Sequence, residues 1–221
     1  LRSHLNSVMP RVARNFRFFA DQLIELGDET FEMNEFVSRT EWDPSGVTVV
    51  ITPWNAPLML ATWRIAPALA AGNSVVAKPP EWAPLTCSLL ADLAHDAGVP
   101  PGVLNVVQGI GEEAGAALVS HRGIARTSFT GSTETGRWIA STAGQNLVPV
   151  SVELGGKSPF IVCADADLDA AAQTIAGQFL NAGQVCLAGT RILVERSIAD
   201  ALLAKVREAS AKMTVGDPRE P

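Results

Sequence analysis

Residues 47–78 read VTVVITPWNAPLMLATWRIAPALAAGNSVVAK, and this stretch decides the fold class. Val47–Ile51 and Ser74–Ala77 are short runs rich in β-branched residues, which is typical of strands. Between them, Leu58–Ala71 carries apolar residues at helical spacing and stops at Gly72-Asn73, a common signal for the end of a helix. Two strands joined by one helix predict a βαβ unit with parallel strands.

The same alternation continues along the rest of the chain. Further strand-like runs are Val103–Val107, Ala125–Phe129, Val148–Glu153, Phe160–Cys163 and Ile192–Val194. The helical patterns between and after them are Pro84–Ala97, a short one after Ile110 through Val119, one after Gly131 to about Ala143, one after Asp165 to about Leu180, and Ile198–Met213. The sequence therefore predicts an α/β fold, a doubly wound parallel sheet of Rossmann-like type followed by the start of a second α/β domain.

The two ends of the chain differ from its centre. Arg11–Leu26 has the pattern of an amphipathic helix, and Thr30–Thr40 is too polar for a core strand, so we interpret it as an arm. The sequence begins without an initiator Met or a secretory signal, and its last strand–helix pattern enters a sheet that is not completed. We therefore expect the sequence to be truncated at both ends.

The distribution of charged residues limits the kinds of partner that the chain can bind. The net charge of −6 is spread along the chain without runs of like charge, which favours a small-molecule partner over nucleic acid or an anionic membrane. Charged residues interrupt the most apolar region before it reaches the roughly 20 residues of a membrane helix, so we expect no membrane span.

Cysteine usage indicates a reducing compartment, and neither the cysteines nor the histidines form a metal-binding pattern. The three cysteines are widely spaced, which argues against a disulfide framework and favours the cytoplasm. The three histidines are scattered and no Cys-x-x-Cys pattern occurs, so we expect no metal. The chain has no Tyr, which excludes mechanisms that need a tyrosine acid or base.

Two glycine-rich segments resemble phosphate-binding motifs only in part. Gly155-Gly156-Lys157-Ser158 looks like the end of a P-loop, but Ser151 stands where the first glycine is required, so we reject it. Gly109-x-Gly111-x-x-Ala114 has the right strand-to-helix context for a dinucleotide turn. It lacks the acidic residue expected about 20 positions later, so it is a weak match.

Polar residues follow the predicted strands at the edge where doubly wound sheets bind ligands. Ser132 begins a helix after Phe129-Thr130-Gly131, and it is either a pyrophosphate contact or a plain N-cap. Lys78 and Glu81, separated by two prolines, are either ribose contacts or a solvated ion pair.

Three further residues have the chemistry of an acyl-transfer site. Asn55, between Pro53 and Pro57, is either an oxyanion donor or a turn residue. Glu153 is either a general base, its pKa raised by apolar neighbours, or a surface residue. Cys186 lies in a loop of small and polar residues. Cys87 and Cys163 lie in apolar runs and are predicted to be packing residues.

Four segments taken in order resemble the NAD(P)-dependent aldehyde dehydrogenase superfamily, and the resemblance extends from about Phe16 to the last residue. These segments are Pro53-Trp54-Asn55, Phe129-Thr130-Gly131-Ser132, Glu153-Leu154-Gly155-Gly156-Lys157 and Gly183-Gln184-Val185-Cys186. Residues 51–60 are also similar to the branch that acts on hydroxymuconic semialdehyde, although betaine-type and aromatic aldehydes stay open as substrates.

The resemblance implies a function and three catalytic residues. Cys186 would be the nucleophile, Asn55 and the Cys186 N–H would hold the oxyanion, and Glu153 would activate water for hydrolysis of the thioester. The product would be a carboxylic acid. One alternative is an enzyme that transfers the acyl group to coenzyme A, which generally lacks the Glu153 base, and another is a non-catalytic nucleotide-binding fragment.

The resemblance also implies a cofactor site and an assembly. The cofactor would be NAD, favoured over NADP by Glu81, and its contacts would be Ile51, Thr52, Pro53, Trp54, Lys78, Glu81, Gly111, Gly115, Phe129, Gly131, Ser132, Thr135, Leu154 and Gly155. Residues 1–46 would be a helix and part of an oligomerisation arm, 47–153 part of the NAD(P)-binding domain and 154–221 the start of the catalytic domain. The whole protein would be a homodimer or homotetramer.

Overall fold

A computed structural model describes residues 4–217, which divide into a first unit up to Glu153 and a second unit from Leu154 onward. In the first unit a π-helical turn (His4–Val8) leads into helix α1 (Met9–Glu25), which is followed by strands β1 (Glu29–Met33) and β2 (Phe36–Thr40). β1 and β2 form an antiparallel hairpin that is exposed along almost its whole length. The prediction that Thr30–Thr40 is not a core strand is therefore confirmed.

The next strands of the first unit form one five-stranded sheet. They are β3 (Val47–Ile51), β4 (Ser74–Lys78), β5 (Leu104–Val106), β6 (Arg126–Gly131) and β7 (Val150–Leu154). Their order in the sheet is β5-β4-β3-β6-β7, and β3 pairs in parallel with both β4 and β6. The chain thus builds outward from β3 to one side and then crosses to the other, which confirms the predicted α/β fold.

Helices cover the two faces of this sheet. They are α2 (Pro57–Ala70), α3 (Leu85–Asp96), α4 (Ala116–Ser120) and α5 (Thr133–Gln145). Val50, Val75 and Ala77 pack in one buried cluster with Ile65 of α2 and Cys87 of α3. Because successive strand residues point to opposite faces, Ile51 and Lys78 point away from this cluster.

The second unit contains a short parallel pair of strands with two helices. Its elements are β8 (Pro159–Val162), α6 (Leu168–Gly177), β9 (Arg191–Val194) and α7 (Ala199–Ala211). Val162 of β8, Ile175 of α6 and Leu202 of α7 share a buried cluster. Asp167 caps α6, since its Oδ1 accepts from the N–H groups of Asp169 at 2.9 Å and Ala170 at 3.1 Å.

Some element boundaries and one side-chain prediction differ from the sequence analysis. The short helix predicted after Ile110 starts as a π-helical turn, Gly111–Gly115, that leads into the five-residue α4. β6 continues through Gly131, two residues beyond the predicted strand, and α5 starts at Thr133 after its cap, Ser132. The prediction that Cys163 packs inside is wrong, because β8 ends at Val162 and the thiol is exposed.

Among the described helices, none is both long and apolar enough to cross a membrane.

Cys87 should resist alkylation in the folded protein. Burial raises the pKa of its thiol to about 11, so the reactive thiolate is scarce at pH 8. We expect iodoacetamide to modify the exposed Cys163 and Cys186 at pH 8 and to spare Cys87 until urea unfolds the chain, as measured by peptide mass spectrometry. Rapid labelling of Cys87 without denaturant would contradict the packing described for α3.

Candidate active site

A cleft of about 760 Å³ opens where β3 and β6 end. Its wall contains every predicted cofactor residue of the first unit, together with Pro80, Glu112, Ala116, Thr130, Glu134, Trp138 and Ile139. The other two predicted cofactor residues, Leu154 and Gly155, lie in the second unit. β3 is followed by α2 and β6 by α5, and these two helices lie on opposite sides of the sheet. The loops at the ends of β3 and β6 therefore diverge, and the cleft forms between them.

Lys78 places a buried cation on the cleft wall. Its side chain is 2% exposed, its Nζ donates to the Pro79 carbonyl at 3.0 Å, and Glu81 Oε2 lies 3.6 Å away. The ion pair with Glu81 is therefore present, but its ammonium is not solvated, because Lys78 is the last residue of a buried strand. An ammonium has three donors, so Lys78 can still donate to a ligand oxygen in the cleft.

A buried hydroxyl beside Lys78 also fits a ligand. Thr52 follows β3 and lines the cleft, and among the described residues its Oγ1 has no hydrogen-bond partner. Leaving a buried hydroxyl unpaired costs about 1–3 kcal/mol, which a hydrogen-bonding ligand would offset. Gly131 keeps this wall open, because a Cβ there would collide with the Phe129 ring.

Ser132 caps α5 at the other side of the cleft. Its Oγ accepts from the Thr135 N–H at 3.1 Å and donates to Thr135 Oγ1 at 2.8 Å. The N-cap reading of Ser132 is thus confirmed. The N–H groups of the first helical residues, Thr133 and Glu134, have no acceptor within the helix and can bind an anion.

Sequence reasoning missed part of the α5 surface. Thr135 was predicted, whereas Trp138 and Ile139 also line the cleft. These positions follow Thr135 by three and four residues, which places all three on one face of a helix. The spacing was therefore a usable signal, and Trp138 brings an indole that is 46% exposed into the cleft wall.

The cleft contains more negative than positive charge. Glu81, Glu112 and Glu134 line it together with Lys78. A ligand with two phosphates therefore has to be held by hydroxyl and backbone N–H groups rather than by a cluster of cations. A third phosphate near Glu81 would meet a carboxylate.

Glu153 is the last residue but one of β7, an edge strand of the sheet, and its surroundings differ from the prediction. The side chain is 66% exposed, and its Oε1 lies 3.3 Å from Nη2 of Arg64 on α2. The sequence predicted apolar surroundings, whereas the structure shows an exposed carboxylate. The reason is that β7, as an edge strand, has a neighbouring strand on one side only.

Asn55 is half-buried in the loop between β3 and α2.

Cys186 belongs to the second unit and is exposed, in the loop between α6 and β9. The turn before it is tightly wound, since Asn181, Ala182 and Gly183 all have positive φ, of 54°, 55° and 72°. After Cys186, the Gly189 N–H donates to Gln178 Oε1 at 3.0 Å. Before the thiol, the Gln184 N–H donates to the Asn181 carbonyl at 3.0 Å, so hydrogen bonds hold the loop on both sides of Cys186.

Gly156 packs against this loop and was not predicted as a site residue. A Cβ at Gly156 would lie 3.2 Å from the Cys186 carbonyl oxygen, which is tighter than ordinary van der Waals contact. The glycine pair after Glu153 was the available signal. No group of three or more His, Cys, Asp and Glu side chains that could hold a metal occurs among residues 4–217.

Comparison with known proteins gives one consistent result. Residues 2–221 match the profile of the Aldehyde dehydrogenase family. The chain is 46% identical over 218 residues to betaine aldehyde dehydrogenase 1 of Oryza sativa subsp. japonica, covering 96% of this chain and 43% of that protein. It is 45% identical over 228 residues to 2-hydroxymuconic semialdehyde dehydrogenase of a Pseudomonas species, covering 100% of this chain and 46% of that protein.

Solved structures agree with these relatives. An indole-3-acetaldehyde dehydrogenase of P. syringae, a Cys-to-Ala mutant in complex with NAD⁺ and IAA, matches with a TM-score of 0.94 and 43% identity over 98% of this chain and 44% of that one. Gamma-glutamyl-gamma-aminobutyraldehyde dehydrogenase from Burkholderia cenocepacia matches with a TM-score of 0.91 and 46% identity over 95% of this chain and 43% of that one. The chain spans less than half the length of the relatives it matches.

Substitutions at Ser132 should separate helix capping from phosphate binding. We expect Ser132→Ala to lower the free energy of unfolding by about 1 kcal/mol, because it removes the cap of α5. Ser132→Asp keeps a capping oxygen and should preserve stability, while its charge repels a dinucleotide and weakens NAD⁺ binding about tenfold or more. Urea unfolding and calorimetric titration of the full-length protein measure the two effects. If Ser132→Asp binds NAD⁺ as tightly as the wild type, Ser132 caps α5 and does not contact the pyrophosphate.

Proposed function

The chain belongs to the aldehyde dehydrogenase family, and from this premise we propose that the whole protein oxidises an aldehyde to a carboxylic acid with NAD⁺. The observation that carries the proposal is the cleft at the ends of β3 and β6, with buried Lys78 and the unpaired hydroxyl of Thr52 in its wall. These donors, with the start of α5, fit a dinucleotide that lies across the sheet.

The proposed first step takes place on Cys186. Its thiolate adds to the aldehyde carbon and forms a thiohemiacetal, whose oxyanion receives hydrogen bonds from the Asn55 side chain and the Cys186 backbone N–H. Exposure of the thiol in a loop fixed on both sides supports this role. Cys87 is unsuited to it, because burial raises the pKa of that thiol to about 11.

Loss of a hydride from the thiohemiacetal carbon to the cofactor would leave a thioester on Cys186, and the proposed last step is its hydrolysis. Glu153 takes a proton from water, the hydroxide adds to the thioester carbon, and the C–S bond breaks to release the acid and restore the thiolate. A carboxylate at this position supports water over coenzyme A as the acyl acceptor.

The proposed cofactor is NAD⁺, with NADP⁺ as the alternative. When bound, it supplies the acceptor for the hydride that leaves the aldehyde carbon. Lys78 and Glu81 would hold the adenosine ribose hydroxyls, and Ser132 with the first N–H groups of α5 would hold the pyrophosphate. Glu81 supports NAD⁺, because a 2′-phosphate at this ribose would face its carboxylate.

Substrate and assembly are also proposals. A semialdehyde or a betaine-type aldehyde is supported by the activities for which the two relatives described above are named. A homodimer or homotetramer is supported by the exposed hairpin, whose Phe31, Met33, Phe36 and Val37 are each more than half exposed. The free cysteines support a reducing compartment such as the cytoplasm.

Two substitutions in the full-length protein test the catalytic assignment. We expect Cys186→Ser to lower kcat at least about 1000-fold, because it removes the nucleophile. Glu153→Gln should form NADH once and then stall, so that intact mass spectrometry detects the acyl-enzyme. NADH absorbance over a panel of aldehydes measures both rates.

Cys163→Ser is the matched control, since this thiol is also exposed but lies outside the proposed site. It should keep the wild-type rate. Normal turnover by Cys186→Ser would refute the nucleophile, and a Glu153→Gln variant without trapped acyl-enzyme would place the base elsewhere.

Glu81 should set the preference between the two cofactors. We expect Glu81→Gln to improve kcat/KM for NADP⁺ relative to NAD⁺ by about tenfold, because it removes the carboxylate that repels the 2′-phosphate. Glu208→Gln changes the net charge equally on exposed α7 and should leave the ratio unchanged. An unaltered ratio in Glu81→Gln would show that other residues select the cofactor.

A further inference from the structure

An arginine on α2 reaches the end of β7. Nη2 of Arg64 lies 3.3 Å from Oε1 of Glu153, and the exposed fractions of the two side chains are 24% and 66%. Of the ion pairs among the described residues, this is the one that involves Arg64. A cation that is three-quarters buried loses more than an exposed carboxylate when the pair separates. The contact is therefore anchored from the Arg64 side.

Sheet topology separates Glu153 from the strand that leads to Asn55. β6 lies between β7, which carries Glu153, and β3, which leads to Asn55. Neighbouring strands are about 4.8 Å apart, so β7 and β3 are separated by about 10 Å. α2 begins directly after the Asn55 loop, and Arg64 extends from that helix to Glu153. The ion pair thus links the helix that follows Asn55 to the strand that carries Glu153, across the intervening β6.

The guanidinium suits a positioning role. Arginine stays charged throughout the working pH range, so Arg64 cannot take the proton that Glu153 has to accept. Its planar group also fixes the direction of a carboxylate better than the flexible ammonium of lysine does. Arg64 can therefore orient Glu153 without competing with it as a base.

We propose that Arg64 positions Glu153 for hydrolysis of the thioester on Cys186. This inference rests on the proposed function, in which Glu153 is the hydrolytic base. Arg64 is a positioning residue, because it acts through Glu153 and lies outside the wall of the cofactor cleft. Its loss should slow hydrolysis and leave formation of the thioester unchanged.

The test separates the two half-reactions in the full-length protein. Rapid mixing with NAD⁺ and an aldehyde substrate gives the rate of the first NADH formed, which reports thioester formation. The steady-state rate and the acyl-enzyme fraction by intact mass report hydrolysis. We expect Arg64→Met to lower the steady-state rate about tenfold and to accumulate acyl-enzyme, with the first-turnover rate within about twofold of wild type.

Two further variants distinguish positioning from a structural role. Arg64→Lys keeps the charge and should recover most of the steady-state rate. Arg126→Met removes a different arginine contact to β7, in which Nη2 donates to Ser151 Oγ at 2.9 Å, and it should leave both phases unchanged. If Arg64→Met does not fold, Arg64→Gln takes its place under the same criteria.

The proposal is overturned if the Arg64 variants slow both phases equally, leave hydrolysis unchanged, or are not rescued by lysine. These outcomes are distinct from failure of the proposed function. That failure would appear in the wild-type protein, as the absence of NADH with every aldehyde of the panel, and it would remove the basis for this role of Arg64 as well.

Discussion

Parallel pairing of β3 with both β4 and β6 is the constraint on which the rest of the first unit depends. It puts β3 at the centre of the sheet, although β3 is the first of the five strands in the chain. The connections after β3 and β6 then leave for opposite sides, and the cleft opens between them. The buried ammonium of Lys78 and the helix start at Ser132 face the cleft as a consequence of this order.

The residues with proposed chemical roles are divided between the two units. The cleft, Asn55 and Glu153 belong to the first unit, whereas Cys186 belongs to the second. The dinucleotide is proposed to contact strand ends and a helix start, and the proposed nucleophile lies on a loop held by its own backbone turns. Arg64 adds a link within the first unit, since it ties the edge strand β7 to the helix that follows Asn55.

Most of this fold could be predicted from the sequence, because β-branched runs and helical spacing are local signals. The strands over 47–51 and 74–78 lie where the pattern placed them, to within one residue. The exposure of Cys163 and the short α4 could not be predicted in this way, because both depend on where an element ends. The surroundings of Glu153 depend on its position at a sheet edge, which strand pairing decides.

The central claim is that the cleft between the ends of β3 and β6 binds the dinucleotide. A crystal structure of the full-length protein with NAD⁺ tests it most directly. We expect the adenosine ribose hydroxyls within hydrogen-bond distance of Lys78 Nζ and Glu81 Oε2, and the pyrophosphate at the first turn of α5. NAD⁺ bound outside this cleft would contradict the account.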